Sequence, residues 1–301
     1  MISVSYEYID SLNRMPRREF VAVLGGVFEH AAWVAEAAFS GRPYATVAGL
    51  HEAMVAAVRQ APREQQLGFL RGHPELGSRL ARAKGLTDAS GAEQGSLGLD
   101  RLSDAEFERF ERLNATYRET FGFPFIICVR RHTRDSILAN FARRVRNDVD
   151  TEFATALAEI GFITRLRLNA KIDGPGKPST DGALTAHVLD TLHGRPAAGV
   201  SIALYEIGAS ARGLLLTTTT NADGRTDKPL ISGEPLRIGT YELQFGIGAY
   251  FSSVASPSSS AAAALPFLDV VPIRFSIADP EGHYHVPLLA TPWSMTTYRG
   301  S

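Results

Sequence analysis

Residues 171–183 read KIDGPGKPSTDGA, and the sequence on either side of them follows two different patterns. The stretch is dense in Gly, Pro, Ser and Asp, which favour turns and polar connections. Before it, apolar residues recur at helical spacing. Val47, Leu50, Met54 and Val58 form one stripe, and Phe107, Phe110, Asn114, Tyr117 and Phe121 a second. Ile137, Phe141 and Val145 form a third, and Phe153, Leu157, Ile160 and Ile163 a fourth. Ser103-Asp104-Ala105-Glu106 has the spacing of a capping box. After it, the period drops to two: Val200, Ile202 and Leu204 alternate with Ser201, Ala203 and Tyr205, as do Ile273, Phe275 and Ile277 with Arg274, Ser276 and Ala278. Asp223-Gly224 and Ser232-Gly233 sit at turn-like positions. The expected architecture is multidomain: an all-α helical bundle over 1–170, a linker over 171–182 and an all-β sandwich over 183–301. The linker is read as having no apolar anchor, so each half is expected to fold alone. Residues 252–265, SSVASPSSSAAAAL, read as a low-complexity mobile loop.

Composition narrows the function. The chain has 301 residues with 31 Lys+Arg against 32 Asp+Glu, so no basic excess is available to neutralise phosphates, and a nucleic-acid partner is not expected. Cys128 is the single cysteine, which leaves no disulfide framework and no Cys-rich zinc module. No apolar run approaches the ~20 residues of a membrane span, and the first twenty residues lack the apolar centre of a signal peptide. A cytoplasmic protein with no membrane partner is the expectation.

Three segments of the second half carry chemistry: residues 184–200 (LTAHVLDTLHGRPAAGV), 221–227 (NADGRTD) and 283–301 (HYHVPLLATPWSMTTYRGS). His283 and His285 are two apart and share one side of a strand. With His187 they could present three imidazoles to zinc, or His187 and His285 could serve a metal-free acid/base site. Together the segments resemble the transthyretin-like 5-hydroxyisourate hydrolases, the closing Tyr298-Arg299-Gly300-Ser301 being the most specific part. The resemblance implies a transthyretin-like sandwich and a metal-free site. It implies His187, Arg225, His285 and Ser301 as catalytic and Tyr298 as substrate-binding. The residue types suit hydrolysis of a strained cyclic amide. Imidazole takes a proton from water near neutral pH, and a guanidinium stabilises the oxyanion.

In the first half, His73-Pro74-Glu75-Leu76-Gly77, Ser90-Gly91-Ala92-Glu93-Gln94, Leu113–Tyr117 leading into 121–130 (FGFPFIICVR), and 163–168 (ITRLRL) occur in that order. Singly each has an ordinary reading, such as a turn, a solvated charge, or for Cys128 a small buried hydrophobe. As an ordered set they resemble the 2-oxo-4-hydroxy-4-carboxy-5-ureidoimidazoline (OHCU) decarboxylases. That resemblance implies His73 as catalytic proton donor and Glu93 as a second catalytic residue, since a His or a Glu close to the reacting carbon could return the proton. It implies a pocket of Pro74, Ser90, Gly91, Ala92, Gln94, Phe125, Ile126, Ile127, Cys128, Val129 and Arg167. The ring's conjugated imine and carbonyl can absorb the electron pair left by carbon dioxide, so no cofactor is expected.

The two resemblances together imply a bifunctional enzyme of urate degradation, hydrolysing 5-hydroxyisourate and decarboxylating the product to (S)-allantoin. Expected partners are these small molecules and further copies of the chain, as a dimer or tetramer formed through the second domain. The competing readings are a transthyretin-like ligand carrier fused to a helical scaffold, and a chain with one active domain.

Overall fold

A computed structural model of the chain describes residues 7–78, 86–209, 212–255 and 265–300. The chain divides into two compact units, one of residues 1–130 and 137–179, the other of residues 131–136 and 180–301. The first is helical and the second is built on β-sheets.

The helical unit opens with helices α1 (Ile9–Arg14), α2 (Arg17–Leu24) and α3 (Ala32–Phe39), and most residues of the stripes become buried helix faces. Helix α4 (Val47–Gln60) buries Val47, Leu50, Met54 and Val58, and Thr46 caps it by accepting from the Gly49 N–H. Helix α5 (Arg63–Arg71) follows it. Helix α6 (Asp88–Gly95) starts at Thr87, whose side chain accepts from the Ser90 N–H. Helix α7 (Asp104–Phe121) has the full capping box between Ser103 and Glu106 and ends at Gly122 in the left-handed region. It buries Phe110, Asn114, Tyr117 and Phe121. Helix α8 (Arg134–Arg144) buries Ile137 and Phe141, but its third buried residue is Arg144 rather than Val145. Arg144 is fully buried because Glu152, also fully buried, accepts from its Nε at 2.8 Å and its Nη2 at 2.6 Å. Helix α9 (Val149–Asn169) is capped by the Asp148 carboxylate and buries Phe153, Ile160, Ile163 and Arg167.

The supposed linker is not loose. Residues 171–179 belong to the helical unit. Ile172 is fully buried and, with Asp173 (strand β2, Ile172–Asp173), pairs in parallel with strand β1 (Glu7–Tyr8). The carbonyls of Pro175 and Gly176 accept from the N–H groups of Val47 and Ala48, which the first turn of α4 leaves without an intrahelical partner. One isoleucine among turn formers therefore anchors the segment, and the two units meet in sequence after Ser179 rather than at residue 170.

In the β unit, the strands β3 (Gly182–Asp190), β4 (Arg195–Pro196), β10 (His283–Ala290) and β11 (Met295–Thr297) form one sheet in the order β11-β10-β3-β4, with β7 (Ile231–Glu234) also paired to β3. The second sheet runs β6-β5-β8-β9, from β5 (Ser201–Ile207), β6 (Arg212–Thr219), β8 (Gly239–Gly246) and β9 (Val270–Ile277). Alternate residues of both sheets meet in one core that includes Leu184, Ala186, Val188, Ile202, Leu204, Leu243, Phe245, Ile273 and Val286. Ser232-Gly233 lies within β7 instead of marking a turn between strands. Of the stretch read as a mobile loop, Ser252–Val254 close helix α10 (Ile247–Val254), which buries Tyr250 and Phe251, and residues 256–264 lie outside the described residues.

Because Ile172 is the apolar anchor of its segment, Ile172→Ala should destabilise the helical unit by about 2–5 kcal/mol. Its thermal midpoint should fall by roughly 5–15 °C while the β unit's transition stays in place. Differential scanning calorimetry of the full chain separates the two, and an unchanged helical transition would contradict the anchoring role.

Candidate functional site

The helical unit contains a recess bordered by His73, Pro74, Leu76, Ser90, Glu93, Gln94, Phe125, Ile126, Ile127, Val129, Ile163 and Arg167. Four separate sequence segments meet there. Ser90, Glu93 and Gln94 reach it because positions three and four apart share a helix face. Gly91 and Ala92 border an adjoining recess with Thr87, Asp88 and Asp100, which shares Gln94 with the first. Cys128 is buried, and its N–H donates to Glu159 Oε2 at 2.8 Å. The irregular segment 125–129 is held from behind by that bond and by Arg144, whose Nη1 donates to the Ile126 carbonyl at 2.8 Å.

The segment carrying His73 is fixed just as firmly. Gln94 Oε1 accepts from the Gly77 N–H at 3.0 Å and Asn114 Nδ2 donates to the Leu76 carbonyl at 2.8 Å. His73 Nδ1 lies 3.0 Å from the Phe69 carbonyl. A carbonyl only accepts, so the proton is on Nδ1 and the available nitrogen is Nε2. Burial pushes the His73 pKa down to about 4, which outweighs the opposing effects of the Phe69 carbonyl and Glu29. The resting imidazole is neutral at neutral pH.

Arg167 sits at the end of the α9 face and is bracketed by two carboxylates. Its Nε donates to Glu93 Oε1 at 2.7 Å, Nη2 to Glu93 Oε2 at 2.7 Å and Nη1 to Glu29 Oε2 at 2.5 Å. Burial opposes its charge, but the Glu93 and Glu29 carboxylates outweigh burial and raise its pKa further. Glu29 was not legible as a site residue. A polar Glu29-His30 pair inside the apolar run GGVFEHAAW is the one signal available for it.

The second site lies on the outer face of the β3/β10 sheet. These strands run parallel, with His187 opposite Pro287 and Thr185 opposite His285. Leu184, Ala186, Val188, Tyr284 and Val286 point to the core, so Thr185, His187 and His285 share the other face. The two imidazole rings are 6.4 Å apart. Arg225 joins them through a backbone bridge to His187, set by the Val188 N–H donating to the Gly224 carbonyl at 2.8 Å. Gly224 has φ +71° and an added Cβ there would lie 2.3 Å from the Val188 carbonyl, so the turn can approach β3 only as glycine. Gly300 bridges to His285, and its N–H donates to the His285 carbonyl at 2.9 Å. A Cβ on Gly300 would lie 2.5 Å from the His285 ring, which accounts for the glycine of the closing motif. Tyr298 is exposed, and Ser301 lies outside the described residues.

His187 Nε2 lies 3.0 Å from the Asp223 carbonyl, so Nε2 carries the proton and Nδ1 is the available base. Thr185 Oγ1 pairs with His285 Nδ1 at 2.9 Å. Burial first, then the Arg225 charge, hold both imidazoles below the usual histidine range, so both are neutral at neutral pH. Among the described residues no three His, Cys, Asp or Glu side chains converge as a metal site requires. Sequence reading did not single out Thr185, nor Asn221, whose Oδ1 accepts from the N–H groups of Asp223 and Arg225 and shapes the turn.

The depressed His73 pKa has a consequence for stability. The unfolded chain binds a proton near pH 6.5 and the folded site only near 4, so the folded state is favoured above that window. The helical unit should lose stability as pH falls from about 6.5 toward 4. His73→Asn should flatten that slope in melts recorded across the range, and an identical slope would show that His73 does not titrate in this way.

Comparison with known proteins assigns each unit to a family. Residues 13–169 match the sequence profile of the OHCU decarboxylase family and residues 184–300 that of the HIUase/transthyretin family. A 2-oxo-4-hydroxy-4-carboxy-5-ureidoimidazoline decarboxylase of Haloferax volcanii is 48% identical over 160 residues, covering 53% of this chain and 93% of that protein. A 5-hydroxyisourate hydrolase of Deinococcus radiodurans is 52% identical over 118 residues, covering 39% of this chain and 95% of that protein. A crystal structure of (S)-allantoin synthase aligns over 98% of this chain and 99% of that one, with 38% identity and a TM-score of 0.50. The chain therefore belongs to the OHCU decarboxylase family through its helical unit and to the HIUase/transthyretin family through its β unit.

Proposed function

We propose that the chain is a bifunctional enzyme of urate degradation. Its β unit hydrolyses 5-hydroxyisourate to OHCU, and its helical unit decarboxylates OHCU to (S)-allantoin. The observation that carries this reading is that one chain holds two built sites: a neutral His73 bordering the same recess as the Glu93–Arg167 pair, and His187, Arg225 and His285 gathered on one sheet face.

In the β unit, His187 Nδ1 takes a proton from water as the water oxygen attacks the ring carbonyl carbon. Arg225 stabilises the oxyanion. The carbonyl reforms as the ring C–N bond breaks, and the proton passes to the departing nitrogen. His285, held by Thr185, orients the substrate or the water. In the helical unit, the bond to the carboxylate carbon breaks and its electron pair enters the conjugated ring as carbon dioxide leaves. The anionic substrate favours protonation of His73 at Nε2, because a nearby negative charge raises the imidazole pKa. That proton is then delivered to one face of the carbon, which fixes the S configuration. Phe125, Ile126, Ile127 and Val129 keep water out. A cytoplasmic homo-oligomer assembled through the β unit belongs to the same reading. The exposed Trp293, Met295 and Tyr298 beside strand β11 supply an apolar edge for it.

Ultraviolet decay of freshly made 5-hydroxyisourate, followed by circular dichroism of the product, tests the two steps in turn. His73→Asn should leave 5-hydroxyisourate consumption intact and slow the appearance of (S)-allantoin by roughly 10²–10⁴-fold. Enantiopure allantoin at the wild-type rate would remove His73 from the mechanism. Arg225→Lys keeps the charge but loses the planar fork. It should slow hydrolysis by roughly 10²-fold while decarboxylation of chemically generated OHCU is unchanged. A chelator should affect neither step; chelator-sensitive hydrolysis with stoichiometric zinc would replace the acid/base assignment with a metal one.

A further inference from the structure

Glu29 carries two costs that nothing else in its loop requires. Its backbone has φ +53°, the one non-glycine in the left-handed region among the described residues. Its carboxylate is buried, with the residue only 7% exposed. A glycine or asparagine would sit there with less strain, and an apolar side chain would avoid burying a charge. The carboxylate accepts from Thr87 Oγ1 at 2.7 Å, from Ser90 Oγ at 2.9 Å and from Arg167 Nη1 at 2.5 Å. Thr87 is the N-cap of α6, and Ser90 stands on the first turn of that helix, one turn before Glu93. Arg167 belongs to α9, and its Nη2 also donates to Ser90 Oγ at 3.1 Å. Glu29 thus grips both helices that meet at the recess.

The count of Arg167 N–H groups sharpens the point. A guanidinium has five. One goes to Glu29, one to Ser90 and two to the Glu93 carboxylate, so Arg167 is spent mainly on protein partners. Its fork lies flat against Glu93, and that orientation is set from the opposite edge by Glu29.

We infer that Glu29 is a positioning residue of the decarboxylation site, acting through Arg167 and Ser90 to hold the Glu93 carboxylate in its working orientation. This rests on the proposed decarboxylase reading for the reaction, though not for the geometry. Charge balance supports it: without Glu29 the guanidinium is left with a single carboxylate and is free to swing toward an anionic substrate. That would tighten ground-state binding without helping the carbon–carbon bond to break.

The test uses the full chain, with its own 5-hydroxyisourate hydrolysis as control for folded protein. Glu29→Gln should lower kcat for decarboxylation roughly 10- to 100-fold, the range typical of residues that orient a functional group. KM should be unchanged or lower. Glu29→Asp, which keeps the charge one methylene short, should fall between and remains informative if the glutamine variant folds poorly. Combining Glu29→Gln with Arg167→Gln should be no worse than Arg167→Gln alone, because both act through one unit. Independently of activity, the Arg167 Nε–H signal in ¹⁵N spectra should exchange slowly in the wild type and faster in Glu29→Gln. A wild-type kcat in Glu29→Gln, multiplicative losses in the double variant, or an unchanged Arg167 signal would each overturn the inference. A wild-type chain that fails to decarboxylate while the Arg167 signal still responds would overturn the functional reading and leave the positioning role standing.

Discussion

One face of a single helix holds the polar interior of the helical unit in place. Along Val149–Asn169, Glu152, Glu159 and Arg167 stand seven and eight residues apart, about 20° and then about 80° around the helix axis, so all three lie on one broad side of it. Each meets a partner that helical or strand pairing would have left unsatisfied. Glu152 takes Arg144, Glu159 takes the Cys128 N–H, and Arg167 takes Glu93 and Glu29. Charges this far from water are tolerated only when fully paired, because desolvation costs more than a single imperfect contact returns. The pairing therefore fixes the relative height of the elements around α9. The irregular wall at 125–129 keeps one shape because Arg144 and Glu159 satisfy its backbone.

The β unit solves a different problem. Its two histidines come from strands that are distant in sequence, with Thr185 and His285 100 residues apart. Their approach depends on the parallel register of β3 and β10 and on the period of two that sends their core residues inward. A slip of either strand by one residue would turn its imidazole into the core. Close approach by the flanking segments then requires glycine at 224 and 300, where any side chain would collide with Val188 or with the His285 ring. Backbone bridges to His187 and His285 bring Arg225 and the closing segment to the imidazoles, helped by the Asn221 side chain in the turn and by Thr297 Oγ1, which donates to the Pro287 carbonyl.

Both sites present neutral imidazoles, and both reach that state mainly through burial. In each, one ring nitrogen is spent on a backbone carbonyl: Phe69 for His73 and Asp223 for His187. That fixes which nitrogen is left for chemistry. Unrelated folds thus arrive at the same device, a ring locked in one tautomer by a carbonyl 3.0 Å away, with its remaining nitrogen unprotonated.

The two architectures, and most of the residues that the two proposed sites bring together, can be read from the sequence alone. Hydrophobic period is a local property, so the stripe Val47, Leu50, Met54 and Val58 and the alternation at Ile202 and Leu204 are legible without a structure. The Ser103–Glu106 capping box is legible for the same reason. His73, Glu93, His187, Arg225 and His285 were found as motif positions, but their grouping was not derivable from spacing. Tertiary structure decided what depends on long-range pairing. Glu29 meets Arg167 across 138 residues, a partnership that no local pattern encodes. The turn of α6 sends Ser90 and Glu93 to one recess and Gly91 and Ala92 to the adjoining one, with Gln94 bordering both. Residues 171–179 looked like a linker because turn formers dominate their composition. They fold onto the helices because the start of α4 needs acceptors for its unpaired N–H groups, and because Ile172 finds a core that only the folded chain provides.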